Sequence, residues 1–169
     1  MVIERSLTAE RLRELLHYES GTGKFTWRVN RCKVHAGDVA GSLNKSLGCV
    51  MISVDGRLYY ASRLAWLYQI GEWPAHQIDH RDGNPNNNRW NNLRLATHAQ
   101  NQWNRGKNHN NTTGFKGVTW QKQRGKFAAH ITVDGKHHYL GLFRSPKLAS
   151  LKYRLAALKH HGEFANAGG

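Results

Sequence analysis

QIDHRDGNPNNNRWNNLRLATHAQNQWN, residues 77–104, is the stretch that decides the fold of this chain. It opens with Ile78-Asp79-His80 and continues into a loop rich in Asn, Asp, Gly and Pro, which is the composition of turns. Leu93-Arg94-Leu95 then alternates as a short strand does. Thr97 stands where its hydroxyl can cap a helix that runs to Asn104. The stretch therefore predicts a strand, a long loop, a second strand and a helix.

That order of elements, with polar residues entering from each part, resembles the HNH motif, the ββα-metal fold of phage-type homing endonucleases. In that family an Asp-His pair ends the first strand, an Asn precedes the second strand, and an Asn or His lies on the helix. The residues at these positions are Asp79, His80, Asn92 and Asn101. The resemblance implies that Asp79 and Asn101 bind one divalent cation. It also implies that His80 is the general base and that Asn92 orients its imidazole.

The chemistry of these residue types fits phosphodiester hydrolysis. A neutral histidine, with an unperturbed pKa of about 6.5, can take a proton from water near neutral pH. Carboxylate and amide oxygens suit Mg²⁺ or Mn²⁺ rather than zinc. The plainer alternative is that Asp79-His80 ends a solvated strand and that the asparagines only build a turn. Asparagine at both later positions favours the nuclease interpretation.

Composition points to a nucleic-acid partner. Lys and Arg number 25 against 11 Asp and Glu, which gives a net charge of +14. The basic residues are spread along the chain, so double-stranded DNA is the expected partner, although a merely solvated basic surface is an alternative.

The two cysteines, Cys32 and Cys49, form no Cys-x-x-Cys pair, so neither a structural zinc site nor a disulfide framework is expected. A reducing cytoplasm is the simplest location. No apolar run approaches the roughly 20 residues that span a bilayer, and the pentapeptide 1–5 is not the start of a signal peptide.

Residues 1–75 are expected to form an α/β scaffold for the nuclease strands. Its predicted parts are a helix capped by Thr8, a strand from Phe25 to Val29, a basic loop over 30–47, a hairpin turning at Asp55-Gly56, and a helix capped by Ser62 that ends at Gly71. The basic loop is either a solvated connection or a phosphate contact.

After the HNH motif (76–105), a polar linker (106–114) is expected to lead to a separate module over 115–166. The pattern predicts strands at Phe115–Trp120, Lys126–Val133 and Lys136–Phe143, followed by a helix that Ser145-Pro146 starts and Gly162 ends. One face of that helix carries Leu148, Leu151, Leu155 and Leu158. Three strands and a packed helix would make a compact unit.

This module resembles the Apetala/ethylene-response-factor DNA-binding domain of plants. The resemblance is carried by Gly117-Val118, Gly125-Lys126-Phe127-Ala128-Ala129, Leu140-Gly141-x-Phe143 and Gly162. In that family the sheet, rather than the helix, lies in the major groove, so the resemblance implies DNA contacts from the sheet. With the last residue of the HNH motif and one linker lysine added, the expected DNA-binding residues are Arg105, Lys107, Thr119, Gln121, Lys122, Arg124, Lys126, Thr132, His137 and Tyr139. The alternative is a module that binds protein or only stabilises the fold.

The expected fold class is thus α+β: a ββα-metal core with an N-terminal scaffold, followed by a three-stranded antiparallel sheet packed on one helix. The expected function is metal-dependent nicking or cutting of double-stranded DNA, with sequence read by the C-terminal sheet. The alternatives are a non-catalytic DNA-binding regulator with a degenerate nuclease module and, less favoured, a phage structural or interaction protein. The sequence leaves open the target site, nick against double-strand break, the preferred cation, monomer against homodimer, and the biological role.

Overall fold

The computed structural model describes residues 7–31 and 33–166. Two compact units divide the chain, Met1–Ala96 and Thr97–Gly169, called below the N-terminal and C-terminal units. Helices and several small antiparallel sheets occur in the same chain, which confirms the α+β class. The pentapeptide 1–5 and Cys32 lie outside the described residues.

Over its described residues, the N-terminal unit contains two α-helices, a 3₁₀ helix at Trp90–Asn92 and three small sheets around an apolar core. Its elements are α1 (Ala9–Leu15), β1 (Leu16–Glu19), β2 (Lys24–Trp27), β3 (Val39–Ala40), β4 (Ser42–Asn44), β5 (Cys49–Val54), β6 (Arg57–Tyr60), α2 (Ala61–Ile70), β7 (Gln77–His80) and β8 (Leu93–Ala96). Strands pair in the orders β1-β2-β3, β4-β5-β6 and β7-β8. Leu12, Phe25, Ile52 and Leu64 are among the buried side chains of the core.

Local turn and cap chemistry sets several boundaries of this unit. The Thr8 hydroxyl accepts from the backbone N–H of Arg11 at 3.2 Å and caps α1 as predicted. The β5–β6 hairpin turns at Asp55-Gly56, both at positive φ, also as predicted. Gly71 ends α2 in the left-handed conformation.

Three predictions for this unit are wrong. Residues 30–47 contain β3 and β4, which are too short to show an alternating pattern and owe their hydrogen bonds to β2 and β5. The strand expected to reach Val29 ends at Trp27. Ser62 does not cap α2, because the helix begins at Ala61 directly after β6 and Tyr60 occupies the cap position.

The C-terminal unit begins with a short helix and continues into a sheet covered by a longer helix. Its elements are α3 (His98–Asn104), β9 (Val118–Gln121), β10 (Lys126–Val133), β11 (Lys136–Phe143) and α4 (Pro146–His161). The sheet is antiparallel in the order β11-β10-β9, with a bulge between Ala129 and His130. Its first strand starts at Val118 instead of the predicted Phe115, which packs against the core.

The face of helix α4 that packs on the sheet is opposite to the face that carries its leucines. Ala149, Tyr153 and Ala157 are buried against Val118, Ala129 and Ile131. Leu148, Leu151, Leu155 and Leu158 are 55, 51, 58 and 57% exposed. Ala149 and Ala157 let the helix lie close to the sheet, and the Tyr153 ring packs against Gly117, where a Cβ would lie 2.2 Å from it. Steric fit, rather than hydrophobicity alone, therefore selects that face.

No helix among the described residues is both long and apolar enough to cross a membrane.

Candidate active site and nucleic-acid surface

The antiparallel pairing of β7 with β8 positions the predicted Asp-His pair. Asp79 lies opposite Arg94, and His80 lies opposite Leu93. Successive residues of a strand point to opposite faces, so Asp79 and His80 leave the hairpin on different sides. The predicted strand–loop–strand part of the motif is present.

Asp79 is paired with a buried arginine that the sequence interpretation did not include. Arg94 donates from both Nε and Nη2 to Asp79 Oδ2, each at 2.8 Å. The two side chains are only 3 and 7% exposed. A buried carboxylate and guanidinium each depend on the other for charge compensation, so the pair fixes the carboxylate in position.

His80 is held by an asparagine of the β7–β8 loop, residues 81–92. Its Nε2 lies 3.0 Å from Oδ1 of Asn88, whose side chain is buried. An amide oxygen accepts, so this contact selects the tautomer with the proton on Nε2 and makes Nδ1 the basic nitrogen. Such a contact supplies the orientation that a general base requires.

Asn92, which the family resemblance assigns to the imidazole, bonds instead within this loop. Its Nδ2 donates to Asp82 Oδ1 at 3.0 Å and to the carbonyl of Asn87 at 2.7 Å, and its Oδ1 accepts from the Asp82 N–H at 3.1 Å. These bonds fix the loop segment that leads to Asn88. The catalytic assignment of Asn92 stays a prediction, and its contacts favour an indirect role.

Asp82 is the carboxylate that organises the β7–β8 loop. Burial alone would raise its pKa, but hydrogen bonds from the Asn87 side chain, the Asn84 backbone and the Asn92 side chain outweigh burial and lower the pKa. The positive potential of nearby His80 lowers the pKa further. The loop is thus held by an ionised acid with three donors.

The β1–β2 turn supports this loop from the N-terminal side of the chain. The Tyr18 hydroxyl donates to the Asn88 carbonyl at 2.6 Å, and the Trp90 N–H donates to the Ser20 carbonyl at 3.0 Å. A Cβ on Gly23, whose φ is +75°, would lie 2.3 Å from the carbonyl carbon of Asn88. Only glycine permits this approach, so the turn fits directly against the backbone that carries the partner of His80.

Asn101, the predicted second metal ligand, lies on α3 at the start of the C-terminal unit. The helix begins with a capping box in which Thr97 accepts from the Gln100 N–H at 3.3 Å and Gln100 accepts from the Thr97 N–H at 2.8 Å. The cap and the end at Asn104 are as predicted. Asp79, His80 and Asn92 belong to the N-terminal unit.

Lys116, His161 and Asn166 fasten the end of α3 within the C-terminal unit. Lys116 Nζ donates to the carbonyls of Trp103 and Arg105 at 2.6 and 2.5 Å. Trp103 stacks on His161 with centroids 4.4 Å apart and ring planes 6° apart. The Asn166 amide donates to the carbonyl of Asn104 at 2.7 Å. A cation at the carbonyl end of a helix also interacts favourably with its dipole.

The same contacts partly bury two titratable side chains, Lys116 and His161. Burial lowers the pKa of Lys116 to about 8. Burial also lowers the pKa of His161, whose Nε2 lies 3.0 Å from the Thr132 carbonyl. His161 Nδ1 is buried with no hydrogen-bond partner among the described residues.

The sheet face that α4 leaves uncovered, here called the open face, carries most of the predicted DNA contacts. Alternation along the strands and the pairs Gln121–Lys126, Thr119–Ala128, His130–Tyr139 and Thr132–His137 define that face. The Thr132 hydroxyl lies 2.9 Å from His137 Nδ1. The predicted set Thr119, Gln121, Lys126, Thr132, His137 and Tyr139 therefore shares one surface, and His130 joins it.

The remaining predicted DNA contacts are exposed cations beside these elements. Lys122 and Arg124 form the short 3₁₀ turn between β9 and β10. Arg105 follows α3, and Lys107 donates to the Gly114 carbonyl at 3.2 Å.

The oxygen donors of Asp79 and Asn101 are hard ligands that fit Mg²⁺ or Mn²⁺. Over residues 7–31 and 33–166, no group of three or more His, Cys, Asp or Glu side chains could hold a metal ion. Cys49 is buried and not in a disulfide, and burial raises the pKa of its thiol.

Four residues of the site escaped the sequence interpretation: Asp82, Asn88, Arg94 and Lys116. Arg94 could have been found, because it stands opposite Asp79 once His80 is paired with Leu93. Asn88 is the third of three consecutive asparagines, and no pattern separates them. Lys116 lies in an irregular segment, so only the folded chain reveals its contact with α3.

Comparisons with known proteins identify the family of this chain. The model of the HNH endonuclease family matches residues 59–103. Protein 3.8 of Escherichia phage T7 is 39% identical over 93 residues, which cover 54% of this chain and 74% of that protein. No solved structure gives a significant match. The chain belongs to the family of phage T7 Protein 3.8, and its residues 59–103 are an HNH endonuclease domain.

Proposed function

We propose that this protein is a divalent-metal-dependent endonuclease of the homing type, which nicks or cuts double-stranded DNA. The observation that carries the proposal is the contact between His80 and Asn88, which lies inside the residues that match the HNH family. A histidine held through Nε2 presents Nδ1 as a base, as hydrolysis of a phosphodiester requires. The net charge of +14 suits the polyanionic substrate.

The chain's own residues divide the work as follows. His80 takes the proton of the attacking water at Nδ1, while Asn88 keeps the imidazole in the required tautomer. Asn92 and Asp82 hold the loop that carries Asn88. Asp79 and Asn101 would hold the cation, which supplies Lewis-acid stabilisation of the phosphate and of the departing oxygen.

A non-catalytic DNA-binding regulator is the second candidate, and one observation favours it. Arg94 already neutralises Asp79, which weakens the attraction of that carboxylate for a cation. Incubation of supercoiled plasmid with the purified protein distinguishes the two. The endonuclease nicks in Mg²⁺ or Mn²⁺ and stops in EDTA. A regulator shifts the plasmid on a gel and leaves it supercoiled under all three conditions.

We further propose that the open face reads the DNA sequence and that Lys122, Arg124, Arg105 and Lys107 contact phosphates. A polar, basic surface that accepts and donates hydrogen bonds supports this division. Cleavage of one randomised DNA library by the wild type and by Gln121→Ala with Thr132→Ala measures it. We expect the variant to cut with relaxed site preference. An unchanged preference would assign specificity to another surface.

A further inference from the structure

The four exposed leucines of α4, here called the leucine stripe, follow the 3-4-3 spacing of a coiled-coil seam. Leu148 and Leu155 take a positions, and Leu151 and Leu158 take d positions. Each is more than half exposed, whereas Ala149 and Tyr153 on the opposite side of the helix are buried against the sheet. A narrow apolar seam on a helix that already has one packed face is the surface to which a second helix fits.

The residues that flank the leucine stripe are all basic. Lys147 and Arg154 border it at g positions, and Lys152 and Lys159 border it at e positions. All four are exposed. The sequence of α4, PKLASLKYRLAALKHH, contains no acidic residue.

This charge pattern selects among possible occupants. In a pair of copies of this helix, e and g positions would bring lysine and arginine together, which is unfavourable. A helix with acidic residues at its own e and g positions would instead form ion pairs on both sides of the seam. DNA is not the occupant, because its proposed surface is the open face on the other side of the sheet.

We propose that the leucine stripe docks an amphipathic helix of a partner protein whose apolar seam is flanked by Asp or Glu. The partner would bind on the face of the C-terminal unit that α4 covers, away from the open face. The sheet would therefore stay accessible while the helix is occupied. This docking does not depend on nuclease activity.

The test uses the full chain and two synthetic helical peptides of about three heptads. Both peptides carry leucine at a and d; one carries glutamate and its twin lysine at e and g. Fluorescence anisotropy should show the acidic peptide binding at least about tenfold more tightly than the basic twin. Leu151→Ser with Leu155→Ser should abolish binding, and the exposed Leu58→Ser in the N-terminal unit should not change it.

Charge reversal makes the test specific. Lys152→Glu with Arg154→Glu should abolish the preference for the acidic peptide, because two acidic and two basic residues would then flank the stripe. Equal affinity of the wild type for both peptides would overturn the proposal. Two other results would also overturn it: a wild-type protein that is a dimer while the paired leucine variant is a monomer, or binding to vesicles of anionic lipid that the paired leucine variant loses.

Discussion

Lys116→Met tests whether the C-terminal unit holds the helix that carries Asn101. The substitution keeps a side chain of similar length and removes the ammonium that donates to the Trp103 and Arg105 carbonyls. Helix α3 has seven residues, fewer than an isolated helix needs to be stable in water. Its order therefore depends on contacts such as these, and the loss should fall first on α3.

The size of the effect follows from the two hydrogen bonds. Bonds from a charged donor contribute about 1.5–3 kcal/mol each when both groups are well buried. Lys116 is only partly buried, and its ammonium loses hydration there, so we take about 2 kcal/mol for the pair. That free energy corresponds to about a 30-fold shift of the equilibrium for local opening of α3.

Hydrogen exchange of the full chain without metal measures this shift directly. Backbone amides of α3 should exchange about 30-fold faster in Lys116→Met than in the wild type. Lys116→Arg should recover most of the protection, and Lys136→Met, at an exposed lysine of β11, should leave it unchanged. If the α3 amides of Lys116→Met exchange at the wild-type rate, the reasoning is refuted, whether or not the variant is an active nuclease.

Three further predictions concern stability. Gly23→Ala should lower the free energy of unfolding by more than about 2 kcal/mol, measured in urea, because strain at positive φ adds to a clash with the β7–β8 loop. Gly56→Ala, with φ +77° and open space around it, is the matched control, and equal losses would refute the clash. Asp79→Asn should cost about 3 kcal/mol by removing the carboxylate charge that faces the buried Arg94, and a smaller loss in the Arg94→Gln background would confirm coupling. The pKa of Lys116 is about 8 in the folded protein and 10.5 ordinarily. Between pH 8 and 10.5 the unfolded chain therefore binds more protons than the folded chain, which makes the free energy of unfolding increase with pH. Over this range the free energy of unfolding of the wild type should rise relative to that of Lys116→Met.

The elements of the motif could be predicted because each has a local cause. Turn-forming residues follow His80, Thr97 caps α3, and Asp55-Gly56 forms a hairpin turn. Strands β3 and β4 could not be predicted, since strands of two and three residues show no periodicity. The face of α4 that packs on the sheet could not be predicted, because its leucines exceed its alanines in hydrophobicity, whereas the buried face carries Ala149, Tyr153 and Ala157.

The candidate site divides in the same way. Asp79 and His80 stand out as a pair in the sequence, and the fold places them at the end of β7 as expected. Asn88 and Lys116 act through contacts with residues 8 and 11–13 positions away, and the β1–β2 turn acts across about 70 positions. No periodic pattern records such contacts, so only the folded chain reveals what orients the imidazole.

Plasmid cleavage by matched histidine variants tests the central claim most directly. His80→Ala and the exposed control His76→Ala are purified in parallel and compared with the wild type in Mn²⁺ for nicking and for DNA affinity. A general base acts in the transition state, so His80→Ala should lose cleavage and keep its DNA affinity, while His76→Ala should keep both. Wild-type nicking by His80→Ala, or absence of nicking by all three proteins, would contradict the account.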